Sequence, residues 1–580
     1  MDSANEAVLG EELDAAFHAA LARWTRSLSL VSPGLAAADW ALHLALSPGR
    51  RLALAELAQQ QWMDLARYAQ GSAMAACSLG GPAQPPAPPV ADRRFAAAEW
   101  QQWPFNVIHQ GFLLHQHWWE AATRGVWGVE RHHGDLVGFW ARQALDMMSP
   151  GNWGLANPQV LRRTQDEGGA NLLRGAQFLA DDLQRLATQA PAAGTEAFRV
   201  GEQLARTPGR VVLRNELMEL IQYEPATPKV QAEPVLIVPA WIMKYYILDL
   251  EPGASLVEYL VQRGHTVFCI SWRNPGEAQR ELGMDDYLRL GIAAALEAVG
   301  SIAPRRRVHG VGYCLGGTLL SMAAAAMARD GDERFATLTL FAAQTDFSEP
   351  GELGLFIDES QLSLLEAQMR QQGYLRADQM AGAFQMLRSY DLLWSRLVQA
   401  YLMGERPALN ALMAWNADAT RMPARMHAEY LRHLFLHNDL AEGRYRIGGR
   451  AVALSDIRQP VFMVGTETDH VAPWRSVYKL HHLSPAEISF VLTSGGHNAG
   501  IVNPPGQGHR HFRLATARPG EPYREPQAWL AQTAEQPGSW WPAWADWLAA
   551  HSSGPIAPPR LGSRAFPAQD PAPGRYVLER

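Results

Sequence analysis

Three residues far apart in the chain carry side chains that could act together on an acyl group: Cys314, Asp469 and His497. Cys314 lies in Gly312-Tyr313-Cys314-Leu315-Gly316-Gly317. This has the form G-x-C-x-G, a nucleophile elbow with cysteine where serine is commoner. A sharp strand-to-helix turn brings backbones close, and glycine lacks the Cβ that would collide there. Such a turn would lift the thiol to the edge of a sheet and place it near a helix N-terminus, whose partial positive charge favours thiolate. The N–H of Leu315 would then face a developing oxyanion. Read alone, the motif also fits a buried structural cysteine in a glycine-rich turn. Its setting favours the chemistry. Asp469 falls just past PVFMVGT and His497 just past ISFVLTS, in the chain order nucleophile, acid, base, each on a loop after a late strand. His470 neighbours Asp469 and competes with His497 as the base; His497 is preferred because it follows a separate strand and has small glycine neighbours. His309, His481 and His482 read as structural, Cys269 and Cys77 as bystanders.

A parallel sheet would have to hold these residues. Short apolar runs alternate with helical stretches from about residue 211: PVLIVPAW (234–241), HTVFCISW (265–272), RVHGVGYC (307–314) and FATLTLFAA (335–343) as strands, with helices over 255–264, 285–302 and 318–330 between them. This alternation marks an α/β fold, and with the elbow it predicts an α/β-hydrolase fold. The alternation stops over about 346–450 and resumes with PVFMVGT (460–466) and ISFVLTS (488–494). An insertion at that point is where a cap or lid would sit. The loop after the first of these strands, carrying Trp241 and Ile242, would supply a second oxyanion N–H. The preceding 210 residues read as mostly helical. The expected domains are a helical extension with a Pro-rich linker (1–91, the linker being 79–91), a helical region (92–210), and the catalytic domain with its cap (211–580). Residues 552–575 are rich in Pro and Gly and read as an extended tail.

The chain has 580 residues, 47% hydrophobic and 19% charged, with a net charge of -7. That is enough for several compact units of about 150 residues each. The acidic balance argues against a general nucleic-acid binder. Three cysteines without metal-ligand spacing indicate neither a disulfide framework nor a metal site, and suit a reducing compartment. No secretory signal and no membrane span are expected.

The residues around these motifs resemble the poly(3-hydroxyalkanoate) synthases over roughly 92 to 580. The resemblance rests on DRRFAAAEWQQWPF, FWARQALDMMSPGNWGLANP, PVLIVPAWIMKYYILDLEPGASLVEYL, WNADATRMP, GTETDHVAPW, GGHNAGIVNPP and GSWWPAWADWL. The YCLGGTLL form of the elbow and the APGRYV ending look more like the class I synthases. The resemblance implies an acyltransferase that polymerises short-chain (R)-3-hydroxyacyl-CoA into polyester and releases CoA, with no cofactor. It also implies a homodimer in the cytoplasm at the surface of polyester granules, where granule-surface proteins are possible partners. By the same resemblance Cys314 is the nucleophile, His497 the base and Asp469 the third catalytic residue. Two positions depart from the family pattern. Met243 stands where an asparagine is usual, which removes an amide that could order the loop, and Asn498 stands where an aliphatic residue is commoner.

A thiol suits this chemistry, because transfer from a CoA thioester to sulfur conserves the activation of the acyl group. His497 would take the thiol proton and then serve the attacking alcohol. Asp469 would orient His497 or help deprotonate the substrate hydroxyl; the residues leave both open. Water must be kept out, and the insertion is the natural shield. Trp394, Trp415, Trp540, Trp541, Trp544 and Trp547 supply apolar bulk, most of them as ordinary core residues. The rival functions are a thioesterase, lipase or depolymerase with the same triad, and a non-catalytic granule-associated relative.

Overall fold

The computed structural model describes residues 2–25, 27–77, 86–188, 190–387 and 389–580. By internal contacts the chain separates into two compact units, one of Met1–Ser27, Gly194–Ala381 and Leu409–Arg580, the other of Leu28–Ala193 and Gly382–Ala408. These borders differ from the expected ones in two places. The first helix packs on the helix Glu359–Gln372 of the insertion, where the Ser27 hydroxyl donates to Gln368 Oε1 at 2.8 Å, instead of standing apart as an extension. Residues 382–408, expected in the cap, belong to the helical unit. Of the expected Pro-rich linker, residues 79–85 lie outside the described residues.

The helical unit contains Val31–Ala45, Pro48–Cys77, Phe105–Thr123, Arg131–Met148, Pro158–Asp166 and Ala170–Thr188. The turn cluster at 149–158 ends where Asn157 caps the helix Pro158–Asp166, its side chain accepting from the N–H groups of Gln159 at 3.0 Å and Val160 at 3.3 Å. Phe95, Trp100 and Leu113 form a small core. Residues from 382–408 are fastened here: Arg94 stacks on Tyr390, and Asn171 donates to the Leu402 carbonyl at 2.8 Å.

The other unit is built on a ten-stranded mixed sheet. Its strands are β1 (Gly209–Arg214), β2 (Met218–Tyr223), β3 (Val235–Val238), β4 (Val267–Trp272), β5 (Val308–Tyr313), β6 (Phe335–Phe341), β7 (Val461–Thr466), β8 (Ile488–Thr493), β9 (His511–Ala517) and β10 (Glu535–Pro537). They lie in the order β1-β2-β4-β3-β5-β6-β7-β8-β9-β10. The middle six, β4-β3-β5-β6-β7-β8, are parallel; on each side two further strands are added, each antiparallel to the neighbour it pairs with. All six were legible as apolar runs, because a parallel strand covered on both faces reads as continuous Val, Ile and Leu. The four outer strands were not read from the sequence. In β2 the pattern is broken by Glu219, which is fully buried yet charged.

Glu219 is held by three partners. Its carboxylate pairs with Arg214, whose Nε lies 2.6 Å away, and accepts from the N–H groups of Arg575 at 2.8 Å and Tyr576 at 3.0 Å. The extended tail therefore runs back over the β1–β2 edge, with Ala572 N–H donating to Gly209 and Val211 N–H to Asp570, and covers a strand edge that would otherwise be open. The same tail reaches the loop after β3. Lys244, 4% exposed, donates its ammonium protons to the carbonyls of Val577 and Glu579.

Candidate active site

Strand β5 ends at Tyr313, a helix begins at Leu315 and runs to Arg329, and Cys314 makes the turn between them with φ 53° and ψ −123°. That backbone conformation is costly for a residue with a Cβ and is held by its surroundings. The Cys314 N–H donates to the Phe341 carbonyl of neighbouring β6 at 2.9 Å, and its own carbonyl accepts from Gly317 at 2.9 Å and Thr318 at 3.2 Å. Leu315 is the first helical residue, so the helix offers its N–H no carbonyl. Gly316 and Gly312 meet the steric demand expected of them. A Cβ on Gly316 would run into the Val238 carbonyl at the end of β3, and one on Gly312 into the backbone of Gly317.

Because Gly316 admits the end of β3, the loop that follows lies against the elbow. Trp241 and Ile242 are buried there. Thr420 fastens the loop, its hydroxyl donating to the Trp241 carbonyl at 2.7 Å and its N–H to the Ile242 carbonyl at 3.4 Å. Met243 forms a main-chain bridge to Ala419, so order that an asparagine amide could have given is supplied by backbone. Trp415 donates to the Lys244 carbonyl at 2.8 Å and packs beneath this loop as a core residue.

Asp469 and His497 come together at the same edge of the sheet. Thr466 ends β7 opposite Thr493, which ends β8. Past the strands the loops stay joined, with Glu467 N–H donating to Thr493 at 3.0 Å and Thr468 N–H to Gly495 at 3.1 Å. The Asp469 side chain is fully buried. One oxygen receives His497 Nδ1 at 2.9 Å and the Thr466 hydroxyl at 3.0 Å; the other accepts from the N–H groups of Val471 at 2.9 Å and Ala472 at 2.8 Å. Burial alone would raise the Asp469 pKa, but the charge of His497 and these hydrogen bonds hold it below the ordinary value. For His497, burial alone would lower the pKa. The charges of Asp469 and then Cys314, with hydrogen bonds to both, instead raise it well above the usual imidazole value. His497 thus neighbours both Asp469 and Cys314.

Other groups at this site had weaker signals in the sequence or none. Tyr313 packs its ring against His497, with centroids 5.6 Å apart and planes 34° from each other, and its hydroxyl donates to Asn498 Oδ1 at 2.6 Å. From the insertion, Tyr430 lies close enough for the charge of Cys314 to act on it, and burial keeps its phenol neutral. Phe347 and Phe435 pack around Tyr430 with centroids 6.3 and 5.4 Å away. The insertion has no period or motif that would have marked these three. Trp540 and Trp541 donate their indole N–H groups to the carbonyls of Gly500 at 2.9 Å and Ile501 at 3.0 Å, and so support the loop just after His497 from within the core.

The remaining candidates lie in settled surroundings. His309 is buried between Thr337 and Ser552, and burial holds it neutral, down at about 3. His481 stacks on Tyr478 and is likewise pushed down, to about 4; His482 packs on Tyr523. Cys269 is sealed inside β4, and Cys77 is exposed. Among the described residues His433, His437 and Asp439 approach one another closely. There Arg444 Nε lies 3.0 Å from the Asp439 carboxylate, a fixed positive charge beside any would-be cation.

The sheet order, the elbow and the site edge define a protein of the α/β-hydrolase fold, and residues 233–504 match the family model described as alpha/beta hydrolase fold. Two further models match, the poly-beta-hydroxybutyrate polymerase (PhaC) N-terminus over 91–260 and the poly-beta-hydroxybutyrate polymerase N terminal over 10–50. The poly(3-hydroxyalkanoate) polymerase of Methylorubrum extorquens is 42% identical over 84% of this chain and 81% of its own length. The poly(3-hydroxyalkanoate) polymerase subunit PhaC of Rhizobium etli is 38% identical over 90% and 81%, and that of Cupriavidus necator 37% over 84% and 83%. The chain belongs to the poly(3-hydroxyalkanoate) polymerase family and is an acyltransferase-type enzyme. Among its described residues no helix is long and apolar enough to cross a membrane.

Proposed function

We propose that this enzyme polymerises (R)-3-hydroxyacyl-CoA, of short chain such as 3-hydroxybutyryl-CoA, through a thioester on Cys314. The observation that carries this reading is the buried Asp469–His497 pair set beside the elbow thiol. His497 takes up and holds the Cys314 proton, and the resulting thiolate attacks the acyl carbonyl. The tetrahedral oxyanion is held by the Leu315 N–H and by an N–H of the Trp241–Ile242 loop. The C–S bond to CoA breaks and the proton passes from His497 to the leaving sulfur, releasing CoA. In the second half the 3-hydroxyl of an incoming unit loses its proton to His497 and attacks the Cys314 thioester, forming the polyester bond and freeing the thiol. Asp469 keeps Nδ1 of His497 turned to itself, so that Nε2 faces the chemistry. Tyr430, Phe347 and Phe435 supply an apolar roof that disfavours water as the acceptor. The product is apolar and insoluble, so the enzyme works at the granule surface, as a homodimer and beside whatever granule-surface proteins share it.

The test is incubation with 3-hydroxybutyryl-CoA. Insoluble polyester together with CoA release is expected; free 3-hydroxybutyrate alone would mean a thioesterase, and no CoA release from any acyl-CoA a non-catalytic relative. Cys314→Ala should abolish CoA release while melting within a few degrees of the parent, and His497→Gln should slow acylation by about 100-fold or more. Normal release from Cys314→Ala would refute the nucleophile assignment.

A further inference from the structure

We propose that Tyr313 and Asn498 act as a positioning pair for His497, a role that rests on the catalytic parts assigned above to Cys314 and His497. Tyr313 immediately precedes the nucleophile and Asn498 immediately follows the base, so each is anchored to one half of the reacting couple. Their hydrogen bond, 2.6 Å from phenol to amide oxygen, is a direct side-chain link between the end of β5 and the loop after β8. The Asn498 carbonyl in turn accepts from the N–H groups of Ile501 at 3.1 Å and Val502 at 2.9 Å, which ties the asparagine into a turn supported by Trp540 and Trp541.

The geometry gives this link work that the Asp469 contact cannot do. The hydrogen bonds of the imidazole to Asp469 and to Cys314 fix its two ends and leave the ring free to turn about the line between them. The Tyr313 ring, lying 5.6 Å from the imidazole and 34° off its plane, blocks that turn on one side. It blocks only while its own position is fixed. Tyr313 is 2% exposed, so its hydroxyl must find a partner inside the protein, and that partner is Asn498. Family members commonly carry an aliphatic residue at this position, but in this chain the hydroxyl has Asn498 as its acceptor, so a leucine introduced at 498 would strand it, and the ring would move to find another acceptor, carrying the imidazole away from the thiol.

The test compares the full-length protein with Asn498→Leu, Tyr313→Phe and the double variant by two readouts. The first is steady-state CoA release from (R)-3-hydroxybutyryl-CoA. The second is the rate at which iodoacetamide alkylates Cys314, located by peptide mass spectrometry, which needs the imidazole in place but no polymerisation. For Asn498→Leu, kcat and the alkylation rate should each fall about tenfold with KM within twofold. Tyr313→Phe, which keeps the ring and removes the hydroxyl, should lose about threefold. The double variant should match Tyr313→Phe, because no stranded hydroxyl remains, and so be faster than Asn498→Leu. Parent rates in both single variants, or a double variant as slow as the product of the two losses, would overturn the proposal. A change in KM alone would overturn it as well. If Asn498→Leu does not fold, the Tyr313→Phe rates decide. If the parent protein releases no CoA, the polymerase reading fails while the alkylation rates still decide the pair.

Discussion

At the scale of single residues, the proposed chemistry depends on groups held in conformations or charge states they would not choose in water. Cys314 keeps a positive φ, and His497 holds its proton more tightly than a free histidine because a buried carboxylate faces it. Asp249 is a third case, away from the site. Its carboxyl is buried against Thr207 and Ser255, with the Ser255 hydroxyl 2.7 Å from Oδ1, and burial raises its pKa to about 6 against those hydrogen bonds. A raised carboxyl pKa stabilises the fold at pH values below the unfolded value, near 3.8, and that contribution is lost as pH rises through about 6. Asp249→Asn, which never ionises, should therefore gain on the parent by about 1 kcal/mol between pH 5 and pH 8. Urea unfolding at the two pH values measures it, and equal differences at both would show that Asp249 does not titrate in the folded protein.

At the scale of elements, the site is a meeting of strand ends, and close backbone approach decides the geometry. Gly316 shows this most sharply, because its missing Cβ is what lets the end of β3 and its loop reach the elbow. Gly316→Ala should push the two apart, costing about 1–3 kcal/mol and lowering kcat by about 100-fold. A variant with parent kcat would mean that the loop after β3 takes no part. The six parallel strands, the elbow and the order of Cys314, Asp469 and His497 were readable because each has a local signature: continuous apolar runs, paired glycines, a polar residue just past a strand. The outer strands were hidden. The buried charge of Glu219 breaks the pattern of β2, and two of its three partners lie more than 350 positions away. Tyr430, Phe347 and Phe435 were hidden for the opposite reason, since ordinary aromatics in an irregular insertion gain meaning only from what they are folded against. The place of 382–408 in the helical unit follows from contacts of Arg94 and Asn171, which no local pattern announces.

At the scale of the whole molecule, the tail is part of the core's charge balance. Removing residues 575–580 would take two N–H groups from Glu219 and two carbonyls from Lys244, leaving both charges buried and short of partners. The truncated protein should lose about 3–5 kcal/mol of stability and melt well below the parent in a thermal scan. An unchanged melting curve would mean that water reaches both groups without cost.

That closure also bears on how the chain is made. Glu219 is separated from the backbone groups that satisfy it by 356 and 357 positions. At about 5–20 residues per second on a ribosome, the β1–β2 hairpin waits roughly twenty seconds to a minute for its partner segment. Through that interval its outer strand edge stays open to other nascent chains. The sheet can be sealed only late in synthesis, so yield of active enzyme should depend on holdase chaperones that shield the hairpin until then.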